Sequence, residues 1–150
     1  MICAFFGHRN IAHCDGLEEA IRRAIHEYGV DIFWVGGYGS FDRIAAGAVH
    51  RMKREYPHIR LLLIQAYFPK PGEELAECYD SSIYPEGLET VPQRFAISQR
   101  NRWIIQNCDM VIAYVRHEYG GAYQAYRSAV KRGIPVINLA GRKTDGGCVS

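Results

Sequence analysis

Four apolar runs of strand length recur along the chain, and a fifth, shorter one follows. They are Ile2–Phe6, Asp31–Val35, Arg60–Ile64, Met110–Tyr114 and Ile134–Ile137. Each run is continuous and does not alternate with polar residues, which is typical of strands that are buried on both faces of a parallel sheet. The pattern therefore predicts about five strands in a mainly parallel sheet.

Between these runs, apolar residues recur at helical spacing. From Leu17 to Tyr28 they recur at intervals of three and four residues, and Gly29 then ends the predicted helix. Similar stretches follow the second strand as far as Pro57 and occupy residues 93–107 and 122–132. Residues 66–92 are rich in proline and show no long period, so they are predicted to form a long loop that acts as a lid or binding segment.

Strands that alternate with helices at this spacing predict right-handed βαβ units. The sequence thus predicts an α/β fold: a three-layer, Rossmann-like domain with a mainly parallel sheet of about five strands and helices on both faces. A length of 150 residues, 48% of them hydrophobic, fits one domain with a sizeable core. We expect this domain to span residues 1–140 and residues 141–150 to form a loose tail.

Two glycine-rich loops each lie between a predicted strand and a predicted helix. One contains Gly36, Gly37 and Gly39, and the other contains Gly120 and Gly121. Glycine lets the backbone turn sharply and approach a ligand, while the start of a helix offers N–H groups to an anion. Glycines also serve ordinary tight turns, so the two loops together, more than either alone, indicate a phosphate-binding crevice.

The ends of the parallel strands should share that crevice, because ligands of such sheets bind at the carboxyl ends of the strands. The predicted ligand-binding residues are Gly7, His8, Arg9, Gly36, Gly37, Tyr38, Gly39, Ser40, Asp42, Arg100, Asn101, Gly120, Gly121, Ala122 and Tyr123. Tyrosines beside the two loops, among them Tyr38 and Tyr119, are candidates for stacking on a base.

Three of the polar candidates carry competing interpretations. Arg100 offers a planar fork for phosphate or carboxylate, although a hydrated helix face explains it equally well. Successive helical residues are about 100° apart, which predicts that Arg100 and Asn101 do not point the same way. Asp42 lies in the first turn of its helix, where a carboxylate favours the helix dipole, and it is alternatively a partner for ribose hydroxyls.

The bulk properties indicate few partners. The net charge is +2, which argues against a long nucleic-acid groove. The charge is unevenly distributed, since residues 1–91 carry 9 basic and 13 acidic side chains, whereas residues 92–150 carry 9 basic and 3 acidic ones. The 5 cysteines have no C-x-x-C spacing and suggest reduced thiols in a cytoplasmic protein. We predict no metal and no cofactor. We also predict no membrane partner, since every apolar run is shorter than the roughly 18–20 residues of a membrane span.

Several segments together resemble the SLOG superfamily, the Rossmann-like domains related to LOG phosphoribohydrolases, and in particular its small YpsA-like bacterial and phage branch. They are Phe6–Arg9, Val35–Ala46 and Arg94–Leu139. The spacing of Arg100 and Asp109 is similar to that of an arginine and a strand-opening aspartate in LOG enzymes. The resemblance implies the fold, a nucleotide-shaped crevice and a homodimer or higher homo-oligomer.

The chain departs from the family at the second glycine loop. LOG enzymes carry the motif P-G-G-x-G-T-x-x-E, whose glutamate assists cleavage of an N-glycosidic bond. Here the Gly-Thr pair is missing after Gly121, and Tyr126 stands where the glutamate is expected. Asp42 and Glu118 are the remaining candidates for a catalytic carboxylate; Arg100 is the candidate catalytic cation.

These observations rank three functions. The first is a binding module that senses or sequesters a nucleotide-derived ligand such as a nucleoside phosphate or ADP-ribose. The second is a nucleotide N-glycosidase or related hydrolase, so that whether the chain is an enzyme stays open. The third and weakest is an accessory in DNA processing, because some SLOG relatives act on single-stranded DNA; the modest net charge makes nucleic acid the unlikely partner in this ranking.

Overall fold

Six parallel strands form one sheet at the centre of the structure, a computed structural model that describes residues 1–140. The elements in chain order are β1 (Ile2–Gly7), α1 (Leu17–Tyr28), β2 (Ile32–Val35), α2 (Gly39–Met52), β3 (Arg60–Ile64), β4 (Ser81–Ile83), α3 (Ala96–Asn107), β5 (Met110–Tyr114), α4 (Gly121–Arg132) and β6 (Val136–Asn138). Short 3-10 turns occupy Leu88–Thr90 and Gln93–Phe95. The predicted Rossmann-like α/β fold is confirmed.

The strand count differs from the prediction because residues 66–92 contain β4. This strand pairs with β3 from Leu62–Ser81 to Ile64–Ile83 at the edge of the sheet. It spans three residues, of which only Ile83 is a large apolar residue. A segment so short and polar has no hydrophobic period to reveal it.

Alternate strand residues face two separate cores, which explains the continuous apolar runs. On one face, Phe5 of β1 stacks on Phe33 of β2 with ring centroids 5.8 Å apart and meets Phe41 of α2 edge-on. On the other face, Ala4 and Phe6 join the core under α3 and α4. Helices α1 and α2 therefore cover one face of the sheet, and α3 and α4 cover the other.

The strand order is β4-β3-β2-β1-β5-β6, so the chain reverses its direction across the sheet between β1 and β5. β1 pairs with β2 on one side and with β5 on the other, in register from Cys3–Met110 to Gly7–Tyr114. The loops that leave β1 and β5 diverge at such a point and open a crevice between them. This topology brings the predicted strand-end residues together.

The predicted loose tail at 141–150 lies outside the described residues, and the single domain over 1–140 stays a prediction. Within residues 1–140, no helix has both the length and the apolar character that crossing a bilayer requires.

Candidate functional site

A crevice of about 290 Å³ lies at the carboxyl ends of β1, β2 and β5, where the strand order reverses. Its walls come from the ends of these strands, from α3 and from the start of α4. The lining residues are Phe5, Phe6, Gly7, His8, Arg9, Gly36, Tyr38, Asp42, Ile97, Arg100, Asn101, Tyr119, Gly120, Gly121 and Ala122. Most of the residues that the sequence singled out therefore share one cavity.

The first glycine loop is shaped by packing within the protein. An added Cβ would lie 2.6 Å from Arg100 Nη1 at Gly36, 2.7 Å from Leu63 at Gly37 and 2.8 Å from Arg9 Cα at Gly39. The space that side chains would need is thus filled by neighbouring protein groups. These glycines are required for the loop to close against α3 and the β1 loop, whether or not a ligand is bound.

The second glycine loop is open. Gly120 has a φ of +94°, and no described atom lies within 4 Å of a Cβ placed there. At Gly121, the first residue of α4, the nearest atom would be Asn101 Nδ2 at 3.9 Å. Gly120 supplies no side-chain cap, so α4 begins with its N–H groups and positive dipole end at an accessible surface.

Arg100 is buried in the wall of the crevice, with 3% of its surface exposed. Its Nη1 donates to the carbonyl oxygens of Gly36 and Ile64, both at 2.9 Å, and its Nε donates to Asn101 Oδ1 at 2.9 Å. The prediction that Arg100 and Asn101 point apart is wrong, because the two side chains are hydrogen-bonded and both line the crevice. Burial lowers the pKa of Arg100, whereas the negative charge of Asp42 raises it to a smaller extent.

Asp42 lies in the same wall with 8% of its surface exposed. Its Oδ2 accepts a hydrogen bond from the Tyr38 backbone N–H at 2.9 Å, which caps the start of α2. Burial raises the pKa of Asp42 to about 6, although the Tyr38 N–H and the charge of Arg100 act in the opposite direction. The carboxyl group is therefore a buried hydrogen-bond acceptor at the start of α2 whose pKa lies above that of an exposed aspartate.

His8 joins the loops that follow β1 and β5. Its Nε2 accepts hydrogen bonds from the backbone N–H groups of Arg116 at 2.7 Å and His117 at 3.2 Å. An accepting Nε2 places the proton on Nδ1, so the ring is neutral. Burial lowers the pKa of His8 further, as do the charges of His117 and Arg116.

Aromatic rings line up at the mouth of the crevice. The His8 and His117 rings lie 4.6 Å apart, and His117 stacks on Tyr119 at 5.1 Å with an interplanar angle of 14°. Tyr119 is 68% exposed, and Tyr38, which is 42% exposed, stands on the other side beneath the Arg9 guanidinium at 5.9 Å. Sequence reasoning missed His117, whose position just after β5 was the available signal.

The remaining predicted residues lie outside the cavity. Ser40 Oγ accepts from the Ile11 N–H at 2.7 Å, so it holds the β1 loop. Tyr123 packs against the core under α3 and α4, and its hydroxyl accepts from Arg127 at 2.7 Å. Glu118 is exposed and does not line the crevice, in contrast to Asp42 and Arg100.

Two further observations limit the chemistry of the site. Asp109, which the LOG spacing pairs with Arg100, accepts a hydrogen bond from the Ile2 N–H at 2.7 Å. Since Ile2 begins β1, Asp109 lies at the opposite end of the sheet from the crevice. Among residues 1–140, no three His, Cys, Asp or Glu side chains are placed to hold a metal ion.

The fold and the crevice define a class, that of Rossmann-like α/β domains with a ligand crevice at the switch point of a parallel sheet. No protein-family model matches the sequence, and no curated protein matches it at a significant level. The solved structures that are similar to it include two of DNA processing protein A (DprA).

The DprA from Streptococcus pneumoniae has a TM-score of 0.61 and 19% identity over 96% of this chain and 52% of that chain. The DprA from Helicobacter pylori, described for its unique single-stranded DNA binding mode, has a TM-score of 0.57 and 18% identity over 91% of this chain and 63% of that chain. The chain thus spans less than two thirds of either neighbour. At this identity the likeness shows the fold, which is compatible with the SLOG superfamily.

This finding corrects the functional ranking. The fold neighbours are DNA-processing proteins, so the prediction of a small nucleotide-derived ligand, with nucleic acid as an unlikely partner, is wrong, and the DNA-processing alternative is favoured. The error came from the overall charge of +2, which averages over an uneven distribution. Neither α3 nor α4 contains an acidic residue, whereas both contain arginine.

Proposed function

We propose that the chain binds single-stranded DNA, holding one nucleotide in the crevice and stacking neighbouring bases on the exposed rings at its mouth. The observation that carries the proposal is the placement of Tyr38, Tyr119 and Arg9 around one cavity at the switch point of the sheet. The DNA-processing fold neighbours support the same conclusion.

The aromatic rings provide surfaces for bases. Tyr119 is largely exposed, and its ring is held in orientation by the stack on His117. Proteins that bind single strands without sequence preference stack bases on such rings, at about 1–3 kcal/mol per base. A duplex hides the faces of its bases, so the same rings favour a single strand.

The crevice also offers positive charge to phosphate. The exposed Arg9 lies on one side, and the accessible start of α4 at Gly121 and Ala122 lies on the other. Backbone N–H groups at a helix start bind anions well. Asp42 also lines the crevice, but it is 8% exposed and accepts a hydrogen bond from the Tyr38 N–H, so its carboxyl group opposes phosphate less than a fully exposed one would.

The charge of the two neighbouring cavities decides which of them suits a strand. The crevice measures about 290 Å³. A larger cleft of about 1010 Å³ adjoins it beyond Tyr38, but its walls carry Glu73, Glu74 and Glu89 against Lys70. That excess of carboxylates disfavours a polyanion, so we place the strand in the smaller crevice.

The test is a binding measurement on the full chain by fluorescence anisotropy, with a labelled single strand of about 16 nucleotides and the corresponding duplex. We expect the single strand to bind more tightly than the duplex and the affinity to fall as salt rises. Tyr119→Ala should weaken binding by about 1–3 kcal/mol, and Arg9→Glu should weaken it and reduce the salt dependence.

Matched controls separate the crevice from general surface effects. Phe68→Ala removes an exposed ring from the larger cleft, and Arg54→Glu reverses an exposed charge after α2. Both should bind as the unmodified chain does. Equal losses in the controls and the crevice variants, or no binding of the single strand at all, would refute the proposal.

A further inference from the structure

A second groove of about 540 Å³ runs between α3 and α4, on the outer side of the crevice. We call it the α3–α4 groove; its polar walls include Ser98, Arg102, Gln124, Ser128 and Lys131. Hydroxyl, amide and cationic groups of this kind all donate hydrogen bonds to phosphate oxygens.

The charges around the groove have one sign. α3 and α4 contain no aspartate or glutamate, and Arg102 and Lys131 are exposed at the groove. Arg132 also borders it, but its Nη1 donates to the carbonyl oxygens of Ile105 at 2.9 Å and Cys108 at 2.6 Å, which ties α4 to the end of α3. Arg102 and Lys131 are therefore the cations that face a ligand there.

The groove and the crevice adjoin each other. Asn101 and Gly121 line both cavities, one from each helix. The groove is therefore next to the crevice on the side of Asn101 and Gly121. Each 12-residue helix is about 18 Å long, enough for several phosphates at about 3.4 Å per stacked nucleotide.

We propose that the α3–α4 groove carries the sugar–phosphate backbone of the strand whose nucleotide occupies the crevice. The inference rests on the proposed function and extends it with a path and a second contact site. A second copy of this chain is the less suitable occupant, because a two-fold contact through this face would bring together two basic surfaces whose helices carry no acidic residue.

The test compares a short single strand of about 4 nucleotides, which the crevice and the rings at its mouth hold without the groove, with a long one of about 16. In the variant Arg102→Glu/Lys131→Glu, we expect the affinity for the long strand to fall about tenfold or more and its salt slope to decrease by about 1.4, for two lost phosphate contacts. The affinity for the short strand should change less than threefold. If the charge reversal impairs folding, the milder pair Arg102→Gln/Lys131→Gln replaces it. This pair should also weaken binding of the long strand more than binding of the short strand.

Arg127→Glu is the matched control, because it reverses a charge on the same helix outside the groove, where Arg127 bonds to the Tyr123 hydroxyl. It should leave both affinities within about threefold. Equal effects on the short and long strands, or no effect on either, would overturn the inference. So would a dimer of the unmodified chain that the double variant converts to a monomer in analytical ultracentrifugation.

The two proposals fail in different ways. If Tyr119→Ala and Arg9→Glu weaken binding while the groove variants do not, the crevice proposal stands and the groove inference falls. If the unmodified chain binds neither strand, both fall.

Discussion

At the scale of single residues, burial determines what the polar groups of the crevice can do. Arg100 has the chemistry of a phosphate ligand, yet its Nη1 and Nε are engaged with Gly36, Ile64 and Asn101. His8 accepts two backbone hydrogen bonds. These side chains position loops, which leaves the exposed Arg9, Tyr38 and Tyr119 to meet a ligand.

Asp42 should make the stability of the fold depend on pH with a definite sign. Its pKa is about 6 in the folded state, against 3.8 for an aspartate in water. The folded state therefore binds more protons between these values, so the Asp42 contribution to stability is lost as pH rises from about 4 through 6. The substitution Asp42→Asn would keep an acceptor for the Tyr38 N–H and remove the titration.

We predict that the stability of the unmodified chain, relative to that of Asp42→Asn, falls by about 1–3 kcal/mol between pH 4 and pH 8. Urea unfolding of both proteins across this range measures the difference and cancels the other titrating groups, including His8. A difference that rises with pH would instead show that the charge of Arg100 outweighs the cost of burial.

At the scale of elements, the sequence predicted the strands that are buried on both faces of the sheet. Strands such as β3 (Arg60–Ile64) and β5 (Met110–Tyr114) were predicted at their observed bounds, because both of their faces are covered. β4 was missed because pairing at the edge of the sheet, and not a hydrophobic pattern, makes it a strand. The contact between Arg100 and Gly36 was also invisible, since it joins residues 64 positions apart.

The same substitution should destabilise the protein in the first glycine loop and have little effect in the second. In Gly36→Ala the new Cβ would lie 2.6 Å from Arg100 Nη1, so the guanidinium must move and lose its bonds to the Gly36 and Ile64 carbonyls. We expect the free energy of unfolding to fall by about 2 kcal/mol or more. In Gly121→Ala the nearest atom is 3.9 Å away, and stability should change by less than about 0.5 kcal/mol.

Thermal or urea unfolding of the two variants measures the contrast. Equal destabilisation would mean that the second loop is as tightly packed as the first. No destabilisation in Gly36→Ala would mean that Arg100 does not depend on the absence of a side chain there.

At the scale of the whole molecule, the distribution of charge matters more than its sum. The net charge of +2 suggested no affinity for nucleic acid, but this average includes the carboxylates near the larger cleft, such as Glu73 and Glu74. The fold separates these groups from the basic face of α3 and α4. Sequence reasoning singled out loops that line the crevice, but it ranked nucleic acid as an unlikely partner from the total charge, because the arrangement of charge depends on how the helices pack.

The central claim is that a single strand occupies the crevice at the switch point of the sheet, and hydrogen exchange tests it most directly. Amide exchange of the full chain would be followed by mass spectrometry, with and without a saturating single strand. We predict slower exchange at residues 36–38 and 119–122, because the ligand covers these loops, and unchanged exchange at residues 66–80. Protection confined to residues 66–95 beside the larger cleft, or none in either loop, would contradict the account.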